Sequence, residues 1–142
     1  MRIRNTISWT ALSAVAIAAT LLTANAENKI DKSKLPPASD KKGVTFAADI
    51  KPIFEKSCVK CHGGEKPKAR LRLDTLENTL KGGDNGKILE VGKSADSAVV
   101  ASIAYLGEED YFMPPKGNKA GIAQLTKEEV GLVRAWIDQG AK

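Results

Sequence analysis

The sequence predicts a small all-α domain of short helices joined by Gly- and Pro-rich loops. Three observations point there. "LTKEEVGLVRAWIDQGAK" near the C-terminus carries its own start and stop signals; two further segments show apolar residues at helical spacing between a cap and a glycine stop; and the alternating stretches "ARLRLD" and "KILEV" are too short to promise a sheet.

Each element has a local justification. In "FAADIKPIFEKSC", Phe46, Ile50, Ile53 and Phe54 fall on one apolar face, but Pro52 lacks an amide donor and clashes with the preceding turn. A kink, or a helix restarting near Pro52, is therefore expected. The second helix should follow Asp74, which with Glu77 resembles a cap, and place Leu76 and Leu80 four apart before "GGDNG" ends it. A third spans roughly residues 97–106 and stops at Gly107. The last is the clearest. Thr126 and Glu129 form a capping box, Leu125 and Val130 a hydrophobic staple, and Gly140 the stop. Val130, Val133 and Ile137 share a face, with Leu132 and Trp136 beside it.

The N-terminal part divides by composition. Arg2 and Arg4 precede the apolar run "ALSAVAIAATLLTANA", which ends in the small-x-small pattern Ala24, Asn25, Ala26 and turns abruptly polar. This reads as a signal peptide over 1–26, cleaved after Ala26, because the run falls short of the roughly 18 residues of a membrane span. The expected location is periplasmic, with no stable membrane insertion after cleavage. Residues 27–45, rich in Lys, Asp, Ser and Pro, are expected to be a flexible, disordered leader. The domain is then 46–142, small enough that a cofactor commonly adds the stability its core lacks. Cleavage lowers the formal charge from +5 to +3, and aromatic residues make up 5% of the chain, so neither a dense basic stripe nor a stacking platform for nucleic acid is present.

The decisive stretch is "KSCVKCHGG", which gathers both cysteines and the single histidine of the chain. Cys58, Cys61 and His62 form C-x-x-C-H. Two thiols at this spacing add across the two vinyl groups of one haem, and the adjacent imidazole reaches the iron as proximal ligand. A disulfide or thioredoxin-like pair would leave the histidine without a role and lacks a βαβ pattern, and zinc would want a fourth ligand. One covalently attached haem c per chain is the expected cofactor. For the second axial position, the chain beyond residue 26 offers Met113 and no further histidine. Pro114 and Pro115 stiffen the loop "EEDYFMPPKGNK", which suits a side chain held at a fixed point, whereas a methionine elsewhere is often gap-filling. Lysine nitrogens and an open site are the alternatives.

The series "DIKPIFEKSCVKCHG", "LRLDTLENTLKGG", "VGKSADSAVVASI", "MPP" and "LTKEEVGLVRAWIDQGA" resembles the planctomycete-type cytochrome c domain, a relative of the class I cytochromes c. The resemblance implies a class I cytochrome c-like helical domain wrapped around one haem, its first and last helices crossing near it. It also implies thioethers at Cys58 and Cys61, His62 as proximal and Met113 as distal ligand, and electron transfer as the function. Trp136 is expected in the helix crossing or against the haem.

Two functions follow. One is a carrier of single electrons between a redox donor and acceptor, acting as a monomer without enzymatic activity. The other is a haem-based sensor or peroxidase-like enzyme with a labile distal ligand; against it, no second histidine is available for peroxide cleavage and Arg134 sits in the last helix. Lys56, Lys60, Lys66, Lys68, Arg70 and Arg72 face one acid, Glu65, between residues 56 and 72. Such a run is ordinarily a solvated face, and beside a haem it could also steer a partner with an acidic docking surface.

Overall fold

The computed structural model describes residues 30–142 and, among them, is helical without named strands. The signal peptide expected over 1–26 lies outside the described residues. Four α-helices are present among those described: α1 (Lys51–Ser57), α2 (Leu76–Lys81), α3 (Ala98–Ile103) and α4 (Lys127–Asp138). "ARLRLD" and "KILEV" form no strand, and the nearest approach to a sheet is one isolated bridge between Gly83 and Gly86.

The start of α1 shows how the Pro52 conflict is resolved. Phe46–Ile50 forms a π-helical turn, and the α-helix begins at Lys51, so Pro52 sits in a first turn where its missing amide breaks no helical bond. Thr45 caps the turn by accepting from the Ala48 amide at 3.3 Å, while the Asp49 carboxylate accepts from the Thr45 amide at 2.9 Å.

Helix α4 carries the expected capping box: the Thr126 hydroxyl accepts from the Glu129 amide at 3.1 Å, and the Glu129 carboxylate from the Thr126 amide at 2.9 Å. Leu125 and Val130 are both buried, as a staple requires. The cap of α2 differs from expectation. Thr75, not Asp74, is the N-cap residue, its hydroxyl accepting from the Asn78 amide at 3.2 Å. Asp74 instead accepts from the Asn78 side-chain amide and pairs with Arg72, and those hydrogen bonds, Arg72's foremost, hold its carboxyl down at about 2.

The π-helical turn before α1 meets α4 through Phe46 and Trp136, and Phe46 also packs on Phe54 of α1. Phe46 packs edge-on to Phe54 at 6.1 Å and tilted against Trp136 at 5.8 Å between ring centroids. Trp136 is fully buried, and its indole nitrogen donates to the Lys142 carbonyl at 3.0 Å, which also accepts from the Phe46 amide at 2.7 Å. One carbonyl oxygen thus ties the C-terminus to the start of the first helical segment.

The flexible leader expected over 27–45 is corrected from Ile30 onward. This stretch packs on the domain as a strap across α4, with Leu35 and Val44 buried. The Ser39 amide donates to the Gly131 carbonyl at 2.9 Å, the Arg134 guanidinium donates to the Pro36 carbonyl, and Gln139 binds the Lys41 carbonyl at 2.8 Å and the Val44 amide at 3.2 Å. Polar composition concealed this, because the strap is held mainly through its backbone, which any sequence supplies. Gly131 is what lets it approach: a Cβ there would lie 2.7 Å from the Pro37 carbonyl oxygen. Gly131→Ala should therefore lower stability by about 1–3 kcal/mol in chemical denaturation of the intact protein. In a chain lacking residues 27–39 the sign should reverse, since Ala is then simply the better helix former by up to about 1 kcal/mol.

Candidate functional site

The C-x-x-C-H segment continues α1. The Phe54 carbonyl accepts from the Cys58 amide at 2.7 Å and the Val59 amide at 2.9 Å. The Cys58 carbonyl then accepts from Cys61 at 3.0 Å and from His62 at 2.8 Å, winding all three residues into one turn at the end of the helix. Gly63 belongs to this turn for a steric reason, since a Cβ would meet Val59 Cγ1 at 2.6 Å and the Val59 carbonyl oxygen at 2.7 Å.

The following segment folds back over the turn. The Lys68 amide donates to the Cys61 carbonyl at 3.0 Å and the Leu73 amide to the His62 carbonyl at 2.8 Å. The return passes through left-handed backbone at Ala69 and Arg70, braced by the Asp84 amide donating to the Ala69 carbonyl at 2.8 Å.

Cys58 is buried and Cys61 half-buried, and both thiols are free. Burial, with the neighbouring Cys61 second, pushes the Cys58 thiol up to about 12, so at neutral pH it is a protonated thiol rather than a thiolate nucleophile. His62 is buried, and its Nδ1 has no hydrogen-bond partner. Burial lowers its pKa; the Leu71 and Lys68 backbone opposes this and the Lys68 charge adds to it, so the ring is neutral near pH 7. A neutral imidazole is the form that binds a metal.

These residues fit a haem better than a bare ion. Among the described residues no three His, Cys, Asp or Glu side chains converge as the donors of a single ion would. A macrocycle makes no such demand, because its thioether carbons and its iron are separate points.

Met113 stands on a different element. Its amide donates to the Ser102 carbonyl near the end of α3 at 3.1 Å, and its half-buried side chain packs against the core cluster that contains Cys58. On either side, Phe112 stacks on Tyr105 at 4.6 Å between centroids, and the Pro114 carbonyl accepts from the Tyr105 hydroxyl. Cys58, Cys61 and His62 are thus brought together in one turn, while Met113 lies on the loop after α3 and packs against the core cluster to which Cys58 belongs.

Other residues carried no sequence signal. Ser57, buried and with an unpartnered hydroxyl, lines a cleft of about 470 Å³ with Lys56, Lys60 and residues Ala120, Gly121, Ile122 and Ala123. The cleft lies between the C-x-x-C-H turn and the chain that follows the Met113 loop. Arg134, which hydrogen-bonds Ser94 at 3.1 Å and the Pro36 carbonyl, is committed to the strap.

The basic run is sorted by ion pairing. Lys56 pairs with Glu129, Arg70 with Asp84 and Arg72 with Asp74, whereas Lys60, Lys66 and Lys68 are exposed and have no ion-pair partner among the described residues.

Residues 58–117 match the family model described as Planctomycete cytochrome C. No curated protein and no solved structure gives a significant match.

Proposed function

Because residues 58–117 match the family model described as Planctomycete cytochrome C, we propose that the protein is an exported, mono-haem carrier that passes single electrons between a redox donor and acceptor in the periplasm. The observation that carries this reading is the single turn that presents two free thiols and a neutral, buried imidazole with an unpartnered nitrogen. Haem c, when attached, supplies a one-electron change at iron. The chain does the rest. Cys58 and Cys61 would hold the macrocycle through thioethers, and His62 and Met113 would ligate the iron. With both residues as ligands the chain would leave substrate no site at the metal.

Cys58 belongs to, and Met113 packs against, a buried apolar cluster that includes Ile50, Phe54, Val100, Ile103 and Trp136. A low-polarity surrounding disfavours the extra positive charge of the oxidised centre and raises the potential, in the same direction as a thioether ligand. Lys60, Lys66 and Lys68 flank the C-x-x-C-H turn with charge that no carboxylate among the described residues pairs, which suits docking to a partner with an acidic surface.

Three measurements test this. The Cys58→Ala, Cys61→Ala double variant should lose the haem that the unaltered exported protein retains on a denaturing gel; an unaltered protein without covalent haem would overturn the proposal. The unaltered, reduced protein should resist carbon monoxide, while Met113→Ala should bind it readily, lose the sulfur-to-iron charge-transfer band when oxidised and show a lower potential. Equal carbon monoxide binding by both would favour a sensor or enzyme with an open site. Changing Lys60, Lys66 and Lys68 to Gln should slow electron transfer with an acidic acceptor about tenfold at low ionic strength, the difference closing as salt is added, while Arg70→Gln should have a smaller effect.

A further inference from the structure

Three consecutive residues around Met113 are tied to one short stretch of chain. Its own amide is held by the Ser102 carbonyl at 3.1 Å, the preceding ring by the Tyr105 ring at 4.6 Å and 13° between planes, and the following carbonyl by the Tyr105 hydroxyl. Two of the three ties are made by Tyr105. Lys116 also contacts this ring: its ammonium lies 5.2 Å from the centre of the Phe112 ring and pairs with Glu109 at 2.8 Å.

Tyr105 stands just past the end of α3, where its φ of +57° closes the helix: the Tyr105 amide donates to the Ser102 carbonyl at 3.3 Å and the Leu106 amide to the Ala101 carbonyl at 3.0 Å. That position is commonly glycine; here it carries a ring and a hydroxyl, and both reach the methionine loop.

We propose that Tyr105 is the positioning residue for Met113, its ring and hydroxyl fixing residues 112 and 114 so that the thioether between them is held in place as the distal iron ligand. The inference rests on the reading that Met113 ligates the iron. A thioether is a weak donor, so its residence on the metal depends on how far the loop can carry it away. Pinning the backbone on both sides of the ligand keeps the departed sulfur close and makes return faster than capture by an external ligand.

The test uses the oxidised holoprotein and imidazole, which can bind only after the sulfur has left. Tyr105→Phe removes the hydroxyl and keeps the ring. It should retain covalent haem and the sulfur-to-iron band, while imidazole enters roughly three- to tenfold faster, the range that loss of one hydrogen bond sets. Phe112→Leu removes the stack and leaves the hydroxyl, should also speed entry, and carries the test if the tyrosine variant fails to assemble. Unchanged imidazole kinetics in an assembled variant, whatever its thermal midpoint, would reduce Tyr105 to a structural residue and overturn the proposal. Met113→Ala separates the two readings. If the band survives that change, ligation by Met113 fails and this inference falls with it; if the band is lost while Tyr105→Phe and Phe112→Leu behave as the unaltered protein, only the role of Tyr105 falls.

Discussion

The carbonyl oxygen of Cys58 accepts hydrogen bonds from both the Cys61 and His62 amides, and the arrangement of the site depends on that one atom. It closes the turn that carries both thiols and the imidazole, and the turn is an extension of α1 rather than a separate loop. Its orientation is therefore inherited from the helix. The helix is oriented in turn by Phe46, which packs on both Phe54 and Trp136, and by the shared Lys142 carbonyl, so a contact at the extreme C-terminus reaches the cysteines through a rigid element.

Helix α4 organises the remainder because its sides serve different neighbours. Val130, Val133 and Ile137 enter the core, Trp136 meets the first helical segment, and Gly131, Arg134 and Gln139 receive the strap. Ser94 links the strap side to the loop before α3, donating from its hydroxyl to Asp138 at 2.8 Å while accepting from Arg134 at 3.1 Å. For a domain this small the strap matters energetically, since Leu35 and Val44 add buried apolar surface to a core with little to spare.

Charge is distributed with a similar division of labour. Lys56 and Glu129 join the end of α1 to the start of α4; burial works against the Glu129 carboxylate, but the Lys56 hydrogen bond and the Thr126 amide together hold it below its ordinary range. Arg70 and Arg72 brace the segment that folds over the attachment turn. Lys60, Lys66 and Lys68, which have no ion-pair partner among the described residues, lie within and just after the C-x-x-C-H motif, whereas Lys56, just before it, is paired.

What the sequence by itself determined is local or covalent in origin. The C-x-x-C-H motif is complete within five consecutive residues, the α4 capping box within four, and the restart at Pro52 follows from one missing amide; each is contained in a turn or two of chain. The helical class was legible for the same reason. The tertiary structure decided whatever depends on pairs far apart in sequence. Polar residues 30–45 read as a tether because composition reports apolar content, while they are tied to Gly131, Arg134 and Gln139 through their own backbone groups, across more than ninety positions. Thr75 displaced Asp74 as a cap because Arg72 and Asn78 engage the aspartate. Which lysines stay unpaired, and that Tyr105 grips both neighbours of Met113, follow from where distant chains pass one another, and no pattern of period 2 or 3.6 encodes that.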